Sequence, residues 1–321
     1  MVIQLGIKWL VLLVGGILFC SISLLISAEV QTGSRSQPPK FTTRWANDVS
    51  ATNAHPEYPR PTMVRKTWLN LNGLWNYATT QRDSTNSLSY SDKILVPFPV
   101  ESQLSGVHRF FTERQRLWYR RTFTLPTEWK KQHVLLHFEA VDWETIVWVN
   151  GKELGRHQGG YDRFSFDITD QLKPEGSQTI EVSVFDPTDS GFQPTGKQML
   201  RPRPPFFSAS SGIWQTVWLE AVPDTFIQSL TLVPDIDAGV LKITLQGSGA
   251  TNDLVVATGS KENKVIGQTT SGLGVEFQLL IPNARLWSPS DPFLYDLKID
   301  LIHQGECVDS VTSYFGMRKI S

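Results

Sequence analysis

The chain has 321 residues, enough for two or three domains that each bury a core of their own. Its 30 lysines and arginines are balanced by 31 aspartates and glutamates, a composition that argues against nucleic acid as a partner and against a polybasic membrane patch. Of the two cysteines, Cys20 lies in the N-terminal apolar segment, so the mature chain would keep only Cys307 and could form no internal disulfide. No Cys/His cluster has zinc-ligand spacing. We therefore predict no metal site and no cofactor.

Residues 1–28 are typical of an export signal. A nearly uninterrupted apolar run extends from Trp9 to Ile26, and Ala28 ends a short segment that resembles a cleavage site. The run is long for a cleaved signal, so a membrane anchor formed by residues 8–26 is the alternative. In both cases the sequence predicts that the folded part is secreted or periplasmic.

Residues 29–60 are polar and contain several prolines. Such a composition is typical of an extended linker rather than of a packed element. We predict a linker that becomes an arm laid over the first domain, which then begins at residue 61.

Period-two alternation of apolar and polar residues predicts a series of short strands after this arm. The strongest hairpin signal is Asn150-Gly151, which follows a β-branched and aromatic run at residues 145–149, because Asn-Gly tolerates positive φ at both central positions. A second such pair, Asn72-Gly73, predicts another turn. No helical period of useful length is present, so residues 61–222 are predicted to form a β-sandwich.

A long connection rich in proline and glycine, residues 186–207, precedes the last strand of this domain. Loops of this length inside a compact domain are usually functional or disordered.

The pattern stays β after Pro223, which marks a domain boundary. Residues 223–317 hold several more short alternating segments and fit an immunoglobulin-like sandwich without its disulfide. The predicted strands of this second domain are residues 226–234, 240–245, 254–258, 275–281, 294–301 and 311–316.

Several segments together resemble glycoside hydrolase family 2, the family of β-galactosidases, β-glucuronidases and β-mannosidases. These segments are residues 68–77, 117–123, 147–151, 159–161, 211–220, 282–289 and 314–320. The resemblance covers about residues 65–320 and implies an all-β protein, with a galactose-binding-like jelly-roll β-sandwich followed by an immunoglobulin-like β-sandwich. Residues 318–321 resemble the start of the hinge that leads to the family's catalytic TIM barrel, and the barrel itself is expected to be absent.

The resemblance implies a retaining mechanism with two catalytic glutamates on barrel strands. No position of this chain matches either glutamate motif, so we assign no catalytic residue and leave open whether the chain is an enzyme. The carboxylates of the chain, including Glu101 and Glu220, are interpreted as lying on solvated strand faces or in loops.

In some family members the loop before the closing strand gives an aspartate to the sugar site, whereas this chain has Phe206 at that position. The pair Phe206-Phe207 is expected either to form an aromatic platform for a sugar or to pack on a barrel. For His157, a hydrogen bond that fixes a turn is the main alternative to a ligand contact. The candidate residues for contact with a sugar or with the barrel are His157, Tyr161, Gln193, Lys197, Phe206, Phe207 and Trp214.

The sequence thus predicts the non-catalytic N-terminal part of a secreted family 2 glycosidase. It would frame the active site of a TIM-barrel domain of the same parent chain and contact a β-glycoside or polysaccharide. A stand-alone extracytoplasmic carbohydrate-binding protein without enzymatic activity and a structural adhesion module are the alternatives. The sugar, the linkage and the oligomeric state are not determined by the sequence.

Overall fold

A computed structural model describes residues 43–84, 88–250 and 252–320, so the predicted export signal lies outside the described residues. All described strands lie within residues 45–321, which form one compact unit. No described helix is both long enough and apolar enough to cross a membrane. The described helical segments are 3-10 turns at Arg44–Asp48, Gln103–Ser105, Thr127–Trp129 and Thr169–Gln171. The all-β prediction is confirmed.

Two sheets of mostly antiparallel strands form the first sandwich. Its strands are β1 (Trp68–Asn70), β2 (Gly73–Gln81), β3 (Asp92–Val96), β4 (Gln115–Phe123), β5 (His133–Phe138), β6 (Val141–Asp142), β7 (Glu144–Val149), β8 (Lys152–Gln158), β9 (Phe164–Asp167), β10 (Gln178–Phe185), β11 (Gln198–Met199), β12 (Phe207–Ser208), β13 (Gly212–Ile213) and β14 (Val217–Val222). The larger sheet has the order β3-β2-β4-β10-β7-β8, and the smaller one has the order β1-β14-β5-β9. Two short pairs, β13 with β6 and the parallel β11 with β12, complete one end of this sandwich.

The first core lies between these sheets because alternate residues of each strand turn inward. In β10, Ile180, Val182 and Val184 are fully buried, while Glu181 between them is only partly buried. The largest buried side chains include Trp75, which donates its indole N–H to the Leu71 carbonyl at 2.8 Å. Each large apolar side chain contributes about 1.5–3 kcal/mol by leaving water, so this alternation stabilises the register as well as the fold.

The hairpin prediction at Asn150-Gly151 is confirmed. Both residues have positive φ, +51° and +81°, and they join β7 to β8. The Asn150 side chain also donates to the Gln171 carbonyl at 2.8 Å and accepts from the Thr179 N–H at 3.0 Å. This turn therefore orders neighbouring segments besides its own two strands.

The turn predicted at Asn72-Gly73 is not a hairpin. Strand β1 pairs with β14 and β2 pairs with β3 and β4, so the chain crosses from one sheet to the other at this point. The Asn72 side chain accepts the Val217 N–H at 3.0 Å, and Gly73 has a φ of +119°. A Cβ on Gly73 would lie 2.7 Å from the Ala51 carbonyl oxygen, so the glycine is required by a close backbone approach.

The second sandwich contains strands β15 (Ile227–Asp235), β16 (Val240–Gly247), β17 (Leu254–Lys261), β18 (Lys264–Gly272), β19 (Phe277–Leu280), β20 (Tyr295–His303) and β21 (Glu306–Phe315). Its sheets have the orders β15-β16-β19 and β18-β17-β20-β21. Fully buried side chains such as Leu241, Ile243, Ile299 and Val311 form its core. Sequence analysis missed β18, an edge strand with few apolar residues, because a strand that faces solvent carries little alternation.

The arm and the residues directly after it contact both sandwiches. In the arm, the Ala54 carbonyl accepts from the Asn72 amide of the first sandwich at 2.9 Å. Just after the arm, Met63 is buried in the core of the second sandwich, and Val64 pairs with Thr312 through two backbone hydrogen bonds of 2.8 and 3.0 Å. Residues 54–64 therefore contribute to the packing of both sandwiches.

A buried ion-pair network joins the two sandwiches. The Arg65 guanidinium donates to both carboxylate oxygens of Asp309 on β21, at 3.0 and 2.6 Å, and to Glu220 on β14 at 3.0 Å. Arg60 donates to both oxygens of Glu220 at 2.7 and 2.8 Å. Burial alone would raise the pKa of Glu220, but His137 at 3.3 Å and the charges of Arg60 and Arg65 lower it to about 2. The interpretation of Glu220 as solvated is wrong, because Arg60, Arg65 and His137, all far away in sequence, enclose its carboxylate.

Candidate functional site

The long loop that begins at Asp186, directly after β10, is joined to its own end by one buried carboxylate. Asp186 accepts the Thr188 N–H at 2.6 Å and the Ser211 hydroxyl at 2.5 Å. Within the loop, the Gln193 amide donates to the Thr188 carbonyl at 2.8 Å and to the Ser190 carbonyl at 3.1 Å. Asp186 thus brings the first and last residues of the loop together.

Glu101 fixes the same end of the loop from a different segment, the chain that follows β3. Its Oε2 accepts the Ser211 N–H at 2.9 Å, while its Oε1 has no hydrogen-bond partner among the described residues. Burial raises the pKa of Glu101 to about 7, although the hydrogen bonds from Ser211 oppose the shift. The charge of Asp186 raises it further. Glu101 therefore changes protonation near neutral pH.

Asp142 is the third carboxylate of this group, and it lies on β6, which pairs with β13 at Gly212. Burial, together with the charges of Asp186 and Glu101, raises the pKa of Asp142 to about 7. The Gln198 amide donates to Asp142 at 3.4 Å and its carbonyl accepts the Ser210 N–H at 2.8 Å. The middle of the loop is therefore attached to the sandwich as well.

A close backbone approach completes this arrangement. A Cβ on Gly160 would lie 2.6 Å from the Asp142 carboxylate, so only glycine fits there without displacement. The Gly160 carbonyl in turn accepts the indole N–H of Trp214 at 2.8 Å. The Gly159-Gly160 pair therefore places the following residue, Tyr161, beside the loop.

The three carboxylates do not form a metal centre. Within residues 43–84, 88–250 and 252–320, no three His, Cys, Asp or Glu side chains are arranged to hold a metal ion. The interpretation of carboxylates as solvated is wrong for Asp142 and Asp186, which are 8% and 1% exposed. They hold the loop in place, because a buried acceptor that receives backbone and side-chain donors is costly to separate from them.

The structure brings five of the seven predicted site residues to this end of the sandwich. The Tyr161 hydroxyl accepts from the Gln198 amide at 3.1 Å, and its ring meets Trp214 edge-on at 5.8 Å. The Lys197 carbonyl accepts the Phe207 N–H at 2.9 Å, which starts the parallel pairing of β11 with β12. The five residues are Tyr161, Lys197, Phe206, Phe207 and Trp214.

Three of these aromatic rings remain exposed to solvent. Tyr161 is 58% exposed, Phe206 38% and Phe207 64%, and Phe192 in the same loop is fully exposed. The Tyr161 hydroxyl accepts from Gln198, which pairs with Phe207, so these exposed aromatic residues lie at one end of the sandwich. Exposed apolar surface gathered in this way is typical of a contact site for a ligand or another domain. The platform defined by Tyr161, Phe206 and Phe207 is therefore the candidate contact surface of the first sandwich.

The other two predicted site residues have mainly structural contacts. His157 on β8 stacks on Phe164 with ring centres 4.1 Å apart, and its Nε2 has no hydrogen-bond partner among the described residues. The Gln193 amide is engaged by the carbonyls of the loop itself. Both positions support the platform from behind or from within the loop.

Two family models match the chain, one over most of the first sandwich and one over the second. The profile described as Glycosyl hydrolases family 2, sugar binding domain, matches residues 93–223, and the profile described as Glycosyl hydrolases family 2 matches residues 225–318. The chain belongs to glycoside hydrolase family 2. Its first sandwich is the sugar-binding jelly roll of the family, and its second is the immunoglobulin-like domain.

Relatives within family 2 are longer than this chain. A β-galactosidase of Thermoanaerobacter pseudethanolicus is 27% identical over 268 residues, which cover 78% of this chain and 35% of the relative. A β-glucuronidase of Paenibacillus borealis is 24% identical over 285 residues, which cover 82% of this chain and 47% of the relative. The chain thus spans at most about half the length of these relatives.

Solved structures of family 2 proteins share the fold. The β-glucuronidase from Ruminococcus gnavus in complex with C6-substituted uronic isofagomine superposes with a TM-score of 0.67 at 20% sequence identity. The match covers 83% of this chain and 47% of that one. At this identity the similarity establishes the order and packing of the two sandwiches.

Residues that sequence reasoning missed are those that hold the loop. Glu101, Asp142 and Asp186 come from three separate segments, and no spacing in the sequence links them. One signal was available: Gly160 in the Gly-Gly pair indicates a close approach, and its partner is the Asp142 carboxylate.

Proposed function

We propose that this chain is the non-catalytic N-terminal part of a family 2 β-glycosidase, in which the platform borders a catalytic cleft and contacts the saccharide. Two family 2 profiles match the chain, and the curated relatives extend well beyond the matched part. The missing length is enough for the catalytic TIM barrel that the resemblance implies. The platform would then form one wall of the substrate cleft.

The observation that carries this proposal is the attachment of the loop. Asp186, Glu101 and Asp142 hold it at its start, end and middle, while Tyr161 and Phe207 stay exposed. A surface that is already ordered loses little conformational entropy when it binds a ligand. Such a wall would position a substrate for groups on another domain.

The catalytic pair of a retaining glycosidase has two carboxylates about 5–5.5 Å apart that flank the scissile bond. The carboxylates beside the loop, Glu101, Asp142 and Asp186, accept hydrogen bonds that hold the loop instead. We therefore place the catalytic glutamates on the barrel of the parent chain. A secreted or periplasmic location is part of the same proposal and is supported by the composition of residues 1–28.

Hydrolysis of p-nitrophenyl β-glucuronide, β-galactoside and β-mannoside tests the proposal. The 321-residue chain and a longer polypeptide that includes the reading frame beyond Ser321 are assayed side by side. We expect hydrolysis by the longer polypeptide and none by the 321-residue chain. Hydrolysis by the shorter chain alone would contradict the proposal, and a reading frame that ends at Ser321 would favour a stand-alone carbohydrate-binding protein.

The role of the platform is tested in the longer polypeptide. Tyr161→Ala and Phe207→Ala are expected to reduce kcat/KM by about tenfold or more, because each removes an exposed aromatic contact at the cleft. Lys152→Ala is the matched control: this exposed residue lies at the hairpin end of β8, about 20 Å from the platform by strand rise. An unchanged kcat/KM in both platform variants would mean that the platform does not contact the substrate.

A further inference from the structure

The platform carries a concentration of positive charge. From residue 190 to residue 219 the chain contains three cations, Lys197, Arg201 and Arg203, and no acidic residue. All three are exposed, and none of their side chains makes a hydrogen bond or ion pair with another described residue. Other exposed cations of this sandwich include paired ones, as Arg156 is with Glu144 at 3.1 Å, and unpaired ones such as Lys152, so it is the clustering of the three that sets the loop apart.

The backbone places these cations next to the exposed aromatic rings. Arg201 and Arg203 lie in the short connection between β11 and β12, and the Phe206 N–H donates to the Arg203 carbonyl at 2.7 Å. Lys197 precedes β11 and its carbonyl accepts from Phe207. Three prolines in this connection limit its conformations, so the charges are presented by an ordered segment.

The acidic groups nearby do not cancel this charge. Asp162 beside Tyr161 and Asp189 at the start of the loop are the exposed acids that flank the stretch in the sequence and at the platform. Of the three carboxylates beneath it, Asp142 and Asp186 are buried and Glu101 is partly buried, and burial raises the pKa of Asp142 and Glu101 to about 7. Among the exposed side chains of this stretch and its flanks, three cations therefore outnumber two acids.

We propose that the platform binds an acidic saccharide, with Arg201, Arg203 and Lys197 contacting its carboxylate or sulfate groups. Guanidinium groups match the planar carboxylate and the sulfate through paired N–H donors. The aromatic rings cover the apolar face of a sugar ring, while the cations bind the anionic substituents that a neutral saccharide lacks. The proposal rests on the proposed function and names the class of saccharide at that site.

Titration calorimetry of the 321-residue chain tests this inference with two matched pairs of ligands. Hexagalacturonate is compared with its fully methyl-esterified form, and a κ-carrageenan hexasaccharide is compared with the desulfated hexasaccharide. We expect at least one of the two charged ligands to bind about tenfold more tightly than its neutral partner. Each exposed ion pair contributes up to about a fivefold gain in affinity. The preference should shrink between 50 and 300 mM NaCl, where screening weakens exposed charges. The pair that shows the larger preference distinguishes carboxylate from sulfate.

Substitutions locate the effect on the loop. The double variant Arg201→Ala/Arg203→Ala is expected to lower the affinity for the charged ligand by about tenfold and the affinity for the neutral ligand by less than twofold. Lys152→Ala, an exposed cation at the far end of β8, should change neither. The variant Arg201→Lys/Arg203→Lys keeps both positive charges and should recover most of the salt-dependent affinity for the charged ligand. This variant therefore separates loss of charge from loss of folding.

Equal binding of charged and neutral saccharides would overturn the inference and leave the proposed function intact. A charged preference that survives the double alanine substitution would also overturn it, because the cations would then lie elsewhere. Absence of binding to all four ligands would overturn it as well, while the hydrolysis assay of the longer polypeptide would still decide the proposed function independently.

Discussion

Replacement of Arg65 by methionine should destabilise the chain by about 3 kcal/mol or more. Arg65 is 4% exposed and donates four hydrogen bonds, two to Asp309, one to Glu220 and one to the Ile227 carbonyl. Methionine fills similar space without the charge, so two buried carboxylates lose a cation. Loss of one member of a buried ion pair costs about 3–5 kcal/mol.

The remaining contacts place the expected loss at the lower end of this range. Glu220 keeps both hydrogen bonds from Arg60, and Asp309 still accepts the Ile227 N–H at 2.8 Å. For a chain of this size, such a loss lowers Tm by on the order of 10 °C. The double variant Arg65→Met/Asp309→Asn should recover at least about 1 kcal/mol, because it removes the stranded charge and keeps the acceptor.

Calorimetry measures the loss of stability in the Arg65 variant, and tryptophan fluorescence shows which sandwich unfolds. Trp287 is the only tryptophan between residues 226 and 317, so a Trp287→Phe version reports unfolding of the first sandwich alone. We expect the two sandwiches to unfold together in the parent chain and in separate transitions in the Arg65 variant. Arg114→Met, which removes a cation that is 85% exposed, is the control and should cost less than about 0.5 kcal/mol. A loss below about 1 kcal/mol with a single transition would refute the assigned role of the network.

Three further predictions concern the loop and the hairpin. Glu101→Gln keeps an acceptor for the Ser211 N–H. Because burial raises the folded pKa of Glu101 to about 7, the folded state binds more protons than the unfolded state from about pH 4.5 to 7, so parent stability falls as pH rises through this window. Urea unfolding should show the variant equal to the parent at pH 4.5 and more stable by about 1–3 kcal/mol at pH 8, and an identical pH profile would contradict the raised pKa. Gly160→Ala should cost about 1–3 kcal/mol in thermal unfolding, since its Cβ would overlap the Asp142 carboxylate, and a neutral result would mean that the loop readily shifts. Asn150→Ala should lower stability in thermal unfolding by about 1–3 kcal/mol, because it places alanine at a φ of +51° and leaves the Gln171 carbonyl and the Thr179 N–H without their side-chain partner. Asn150→Gly relieves only the backbone strain and should recover part of this loss.

The fold could be predicted from the sequence because its main signals are local. Alternation along β10 gives the buried face directly, and Asn150-Gly151 specifies a hairpin through its own backbone preferences. The candidate surface was found in outline for a similar reason: a long proline-rich loop with paired phenylalanines is visible as a segment. Phe206, Phe207 and Trp214 lie within one stretch of the sequence, whereas Tyr161 joins them only in the folded chain.

The sequence by itself determined the all-β class, the family and the loop that forms the platform. Only the tertiary structure showed that Asn72-Gly73 crosses between sheets, and that Glu101, Asp142 and Asp186 meet beneath the loop. The physical reason is the range of the interactions. Turn geometry and alternation are set by neighbouring residues, whereas burial of a carboxylate depends on donors that come from segments tens of residues away.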